Sequence, residues 1–156
     1  MSNLEETIVQ RLTTLGKTLA TAESCSGGLI GHRITNVSGS SACYRGGVIV
    51  YSNALKEALL GVSAESLATH GAVSEVVARK MAEGARLRLG ADIAVAVTGI
   101  AGPQGGTPDK PVGLVFLALT DDAGTNVLRR VFPGARLEVK EQTAQAALQL
   151  IWEAIA

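Results

Sequence analysis

Hydrophobic positions change their period several times along this chain, and each change marks an element. Leu4, Ile8, Leu12 and Leu15 recur every three or four residues, which lines one face of a helix. Residues 3–16 are therefore expected to form an amphipathic helix, with Gly16 where a C-cap falls. Residues 18–22 read as a short strand. The stretch TAESCSGG, residues 21–28, is a strand-to-helix turn, and Leu29, Ile30, Ile34 and Val37 mark the apolar side of the helix that follows. A small-residue loop then leads into a strand ending near Tyr51, after which Asn53 is placed to cap the helix ALKEALLG.

Ser63 and Ser74 are placed to cap two more helices, the second being the long EVVARKMAEGARLRLG. ADIAVAVT is a nearly continuous apolar run, as expected of a strand buried on both faces. GIAGPQGGTPDKP is too rich in Gly and Pro for regular structure. VGLVFLALT and NVLRRVF read as strands joined at DDAGT in a hairpin, and residues 136–156 close the chain as a helix. The pattern predicts a single three-layer α/β/α domain over residues 1–156, with a mixed, mainly parallel sheet and a late antiparallel hairpin. Ligands of such sheets sit at the carboxyl ends of strands, which selects the turns at 21–28, 51–56 and 98–106.

Composition narrows the partners. At 156 residues, with 47% hydrophobic and 18% charged positions, the chain can bury a core without disulfides, and no apolar run approaches the roughly 20 residues of a membrane span. No membrane partner is expected. The N-terminal stretch is acidic and amphipathic, unlike a secretory signal, so a cytoplasmic location is expected. Fourteen basic and 14 acidic residues cancel, and aromatics make up 3%, so neither a polyanion-attracting field nor a base-stacking surface is present. A small molecule is the expected partner, and no nucleic acid. Cys25 and Cys43 form no CxxC pair and are expected to be reduced thiols.

No P-loop or GxGxxG fingerprint fits the Gly-rich turns, yet Gly27 and Gly28 at a helix start still offer backbone N–H groups to an anion. Metal chemistry has little support: His32 and His70 stand apart, with no HExxH or Cys/His cluster, and no metal or cofactor is expected. Lys56 is the more informative base, because it follows a strand end and enters the first turn of a helix, where the dipole disfavours an ammonium. The dipole contributes only about 0.3–1 kcal/mol. Burial would have to supply the rest before Lys56 could accept a proton from a serine. Cys25 is read as a packing residue, facing away from Ser24 and Ser26 if the turn is extended.

Four ordered segments, TAESCSGGLIGHRIT, SGSSACYRGGVIVYSNALKEALLGV, HGAVSEVVARKMAEGAR and AVTGIAGPQGGTPDKPVGLVF, closely resemble the C-terminal domain of the competence/damage-inducible protein family. The family includes stand-alone nicotinamide-nucleotide amidases. The resemblance implies a serine amidohydrolase without cofactor or metal, hydrolysing nicotinamide mononucleotide to nicotinate mononucleotide and ammonia in pyridine-nucleotide recycling. It implies Ser24 as nucleophile and Lys56 as base, with Ser26 as rival nucleophile and Tyr51 orienting the lysine or the ring. Substrate contacts are then expected from Ser26, Gly27, Gly28, Ser40, Ser41, Asn53, Thr98, Gly99, Gly102 and Arg136. A homo-oligomer is expected on the same ground. Relatives commonly carry Gly-Asp-Arg and then Val-Arg in the segment entering the last helix, whereas this chain has Ala135 for the acid and Lys140 for the second arginine. Lysine keeps the charge and loses the bidentate fork. The rival reading is a non-catalytic pyridine-nucleotide-binding module that acts through a protein partner.

Overall fold

The computed structural model describes residues 3–156. Its elements in chain order are α1 (Leu4–Leu15), β1 (Leu19–Glu23), α2 (Leu29–Thr35), a 3-10 turn at Ser40–Ala42, β2 (Tyr44–Ile49), α3 (Asn53–Leu60) and α4 (Ala64–His70). They continue with α5 (Glu75–Leu89), β3 (Ile93–Gly99), β4 (Leu114–Asp121), β5 (Gly124–Val131) and α6 (Arg136–Ile155). The strands form one sheet in the order β2-β1-β3-β4-β5. β1 pairs in parallel with β2 and β3, whereas β3–β4 and β4–β5 are antiparallel. The sheet is mixed as expected, but its antiparallel half starts at β3, one pairing before the hairpin. No helix among the described residues is long and apolar enough to cross a membrane.

Helices cover both faces, and the two faces are built differently. Leu19, Ile93, Val95, Val97, Val115, Leu117 and Leu119 pack against α1, α2 and α6. Alternate residues Ala20, Ala22, Ala94, Ala96 and Ala118 face the other way, toward Val77, Ala78, Met81, Ala82 and Ala85 of α5. The period-2 signal of these strands is thus large against small rather than apolar against polar, and the alanine face lets α5 lie close to the sheet. Close approach recurs between helices. A Cβ at Gly84 would overlap the backbone carbonyl of Leu60, so α5 passes directly over the end of α3, the helix that carries Lys56.

Caps fix where the helices start. The side chains of Asn3, Ser63 and Ser74 accept backbone N–H groups at the heads of α1, α4 and α5. At α3 the cap is Ser52, whose hydroxyl accepts from Leu55 N at 3.1 Å; Asn53, expected as the cap, is the first helical residue. Of the α3 side chains only Lys56 and Leu60, one turn apart on the same face, are buried.

Candidate active site

The parallel strands β1, β2 and β3 end together, and the cavity lies just beyond them. β1 ends at Glu23, and Ser24 follows with its N–H donated to Val97 O of β3 at 3.2 Å. The chain then reverses through Gly27 and Gly28, whose φ values of 61° and 100° lie in the left-handed region that only glycine enters without strain. Gly27 N donates to Ser24 O, and Leu29 N donates to Ser26 O. The N–H groups of Ser26 and Gly28 find no acceptor among the described residues.

Lys56 reaches this turn from the other side. It is 1% exposed, and its Nζ lies 3.1 Å from Ser24 Oγ, 2.9 Å from Val50 O and 3.4 Å from Tyr51 O. Burial holds its pKa below the ordinary lysine value, and only a Cys25 thiolate would act the other way. No carboxylate among the described residues pairs with it. Nζ thus has three oxygen neighbours; in the neutral amine, two N–H groups would serve the Val50 and Tyr51 carbonyls and the lone pair would face the Ser24 hydroxyl.

The cavity, about 250 Å³, is lined by Ser24, Cys25, Tyr51, Asn53, Lys56, Thr98, Gly99, Gly102 and Arg136, together with Ala72, Val73, Ile100, Ala101 and Gln104. The first nine include every expected site residue from the 51–56 and 98–106 turns. Thr98 Oγ1 donates to Ala72 O at 2.9 Å and ties β3 to the loop ahead of α5. Arg136 lines the cavity and donates to Gly102 O and to Tyr51 Oη, both at 2.8 Å, so it joins the Gly-rich loop to the tyrosine and keeps further N–H groups for a ligand.

Other expectations fall elsewhere. Ser26, Gly27 and Gly28 line a neighbouring depression with His32, Leu137 and Lys140, which Ser24 does not line. Ser26 is buried with its hydroxyl donated to Glu23 Oε1 at 2.7 Å. A Cβ at Gly27 would lie 3.3 Å from Lys140 Nζ, which puts that ammonium over the turn. Ser40 and Ser41 sit in the 3-10 turn before β2, at the opposite end of the strand from the cavity, and do not line it. The 72–73 wall went unseen in the sequence, where HGAVSE shows only a helix cap. Glu23 also went unassigned; its signal is a carboxylate closing a buried strand immediately before two glycines.

Cys25 is a packing residue as expected. Its thiol is 6% exposed, and burial pushes its pKa up to about 12, with the Glu23 charge adding to the rise and Lys56 opposing it. The thiolate is therefore negligible near neutral pH. Iodoacetamide at pH 8 is expected to leave Cys25 unmodified in the folded protein and to label it in denaturant, as read by peptide mass; rapid labelling of the folded protein would contradict this.

An α/β domain with a mixed sheet and a buried lysine amine against a serine at the ends of its parallel strands is the class that fold and site define. The model of the CinA C-terminal domain matches residues 1–155, and the chain belongs to that family. A CinA-like protein of Gemmatimonas aurantiaca is 52% identical over 139 residues, covering 89% of this chain and 32% of that protein. One from Geobacter sulfurreducens is 55% identical over 147 residues, covering 94% and 36%. The chain thus spans about a third of the length of the curated relatives it matches. Among solved structures, a CinA superfamily protein of Klebsiella pneumoniae superposes with a TM-score of 0.94 at 35% identity, covering 97% of this chain and 95% of that one. The competence/damage inducible protein CihA of Agrobacterium tumefaciens gives 0.88 at 43% identity, covering 98% and 96%.

Proposed function

We propose that this protein is an amidohydrolase that converts nicotinamide mononucleotide to nicotinate mononucleotide and ammonia, with Ser24 as nucleophile and Lys56 as general base. The observation that carries the reading is the buried Lys56 amine 3.1 Å from Ser24 Oγ, with its other two contacts taken by backbone carbonyls. Ser24 Oγ attacks the carboxamide carbon as its proton passes to Lys56 Nζ. The resulting oxyanion is held by backbone N–H groups of the 24–28 turn or of the 98–104 loop. Collapse breaks the C–N bond, and Lys56 returns the proton to the leaving nitrogen, which departs as ammonia. Lys56, neutral again, takes a proton from the water that attacks the Ser24 ester and then returns it to Ser24 Oγ as nicotinate mononucleotide leaves.

Tyr51, 63% exposed and held by Arg136, is the wall against which the pyridinium ring would lie. Arg136 supports that wall and offers its remaining N–H groups to the nucleotide phosphate, with Lys140 over the turn as a second cation. The reaction would serve pyridine-nucleotide recycling in the cytoplasm. Self-association accompanies this reading, supported by Ile49 and Leu137, both exposed and both beside Gly28.

Incubating the purified protein with nicotinamide mononucleotide, without added metal, is expected to release ammonia and nicotinate mononucleotide in equal amounts. Binding of the nucleotide without ammonia release would overturn the reading in favour of a binding module.

A further inference from the structure

The nucleophile turn contains a second built feature that the reaction steps above do not use. Glu23 is 2% exposed, yet it has no cationic partner among the described residues. Instead its carboxylate takes three donors. Oε1 accepts from Ser26 Oγ at 2.7 Å and from Ile30 N at 2.9 Å, and Oε2 accepts from Gly31 N at 3.0 Å. The last two are N–H groups of the first turn of α2, which have no partner within the helix and lie at its positive end.

All three donors come after Ser24 in the chain, and the acceptor comes immediately before it. Strand β1 is itself pinned at this point: Val50 N donates to Glu23 O at 2.8 Å, and Ser24 N donates to Val97 O. Ser24 and Cys25 therefore span a gap whose entry is fixed by β2 and β3 and whose exit is fixed by the Glu23 side chain. The surroundings leave room for that carboxylate. A Cβ at Gly31 would lie 2.7 Å from Tyr44 Oη and 3.5 Å from Glu23 Oε2, and Tyr44 Oη is itself engaged with Thr21 Oγ1 at 2.6 Å.

We propose that Glu23 is a positioning residue: by drawing Ser26 Oγ, Ile30 N and Gly31 N onto its carboxylate, it fixes the turn in which Ser24 Oγ meets Lys56 Nζ. The inference rests on Ser24 being the attacking group and deepens that reading. It also assigns Ser26, the rival nucleophile, to the support of the turn. Glutamine has nearly the same shape, but with its oxygen toward Ser26 Oγ and Ile30 N its NH₂ would face the Gly31 N–H, so Glu23→Gln breaks the arrangement at constant volume.

Two readouts separate this role from the identity of the substrate. One is kcat and KM for ammonia release from nicotinamide mononucleotide. The other is the rate at which a fluorophosphonate modifies Ser24, followed by peptide mass. Glu23→Gln is expected to lower both kcat and the modification rate by roughly 10- to 100-fold per folded molecule, because a misplaced nucleophile loses its approach geometry. KM is expected to stay within about threefold, since Glu23 lies outside the cavity. Ser26→Ala, which removes one of the three donors, is expected to lower both rates about threefold. A purely structural role would reduce the folded fraction and leave the rate per folded molecule unchanged. Native rates in folded Glu23→Gln would overturn the proposal; if that variant does not fold, native rates on both readouts in Ser26→Ala would do so. Modification of native Ser24 without ammonia release would count against the substrate reading alone, whereas an inert native Ser24 would overturn both.

Discussion

Lys56→Met is expected to reduce ammonia release by about 10³-fold or more, while the protein still folds. Methionine fills much the same buried volume beside Leu60 but offers Ser24 no basic nitrogen to take its proton. The effect on stability has a defined pH dependence. Burial holds the Lys56 pKa below its ordinary 10.5, so the unfolded chain binds a proton that the folded one has lost between that lowered value and 10.5. Stability of the native protein therefore rises with pH through this window, and falls as pH drops through it to a plateau below the folded value. Lys56→Met lacks this term. Denaturant melts of the two proteins should show the variant at its greatest relative stability on the acid side, with its advantage shrinking toward pH 10. A difference that does not vary with pH would mean that Lys56 is as easily charged inside the protein as in water.

Ser24→Ala is expected to lower turnover by about 10⁴-fold or more, as removal of a nucleophile does in other covalent hydrolases. The fold should survive, because Lys56 Nζ keeps its bonds to the Val50 and Tyr51 carbonyls and the strand-end pairing of Ser24 N with Val97 O uses only backbone. Ser26→Ala differs in kind. That hydroxyl points at Glu23 and not at Lys56, so its loss loosens the turn without removing the attacking atom. A fold difference of several orders of magnitude between two serines two positions apart is the signature that this geometry predicts.

Much of the fold was legible because the signals were local. Helical spacing located α1, serine caps located α4 and α5, and the apolar run of residues 91–98 located β3. The cap of α3 was misplaced by one residue because Ser52 and Asn53 are both good caps, and only the hydrogen bond from Leu55 N decides between them. The large-against-small alternation of β1, β3 and β4 was hidden for another reason: alanine counts as apolar, so the strands read as uniform.

The site divides the same way. Lys56 and Ser24 stood out because each sits at a strand end, where topology brings ligands together. Ser40 and Ser41 looked equally suitable as residue types, but they precede β2 rather than follow it, which puts the length of the strand between them and the cavity. Arg136 was picked out in the sequence, but its bonds to Gly102 O and Tyr51 Oη join segments 34 and 85 residues away, and no local pattern shows them. Glu23 was visible as a residue, but its role depends on where Ile30 N and Gly31 N point, and no sequence pattern carries that.

The most direct test of the central claim is ammonia release from nicotinamide mononucleotide, without added metal, measured side by side for the native protein, Ser24→Ala and Ser26→Ala. The proposed mechanism predicts release by the native protein, about a third of that rate in Ser26→Ala and none above background in Ser24→Ala. Undiminished release by a folded Ser24→Ala would contradict it.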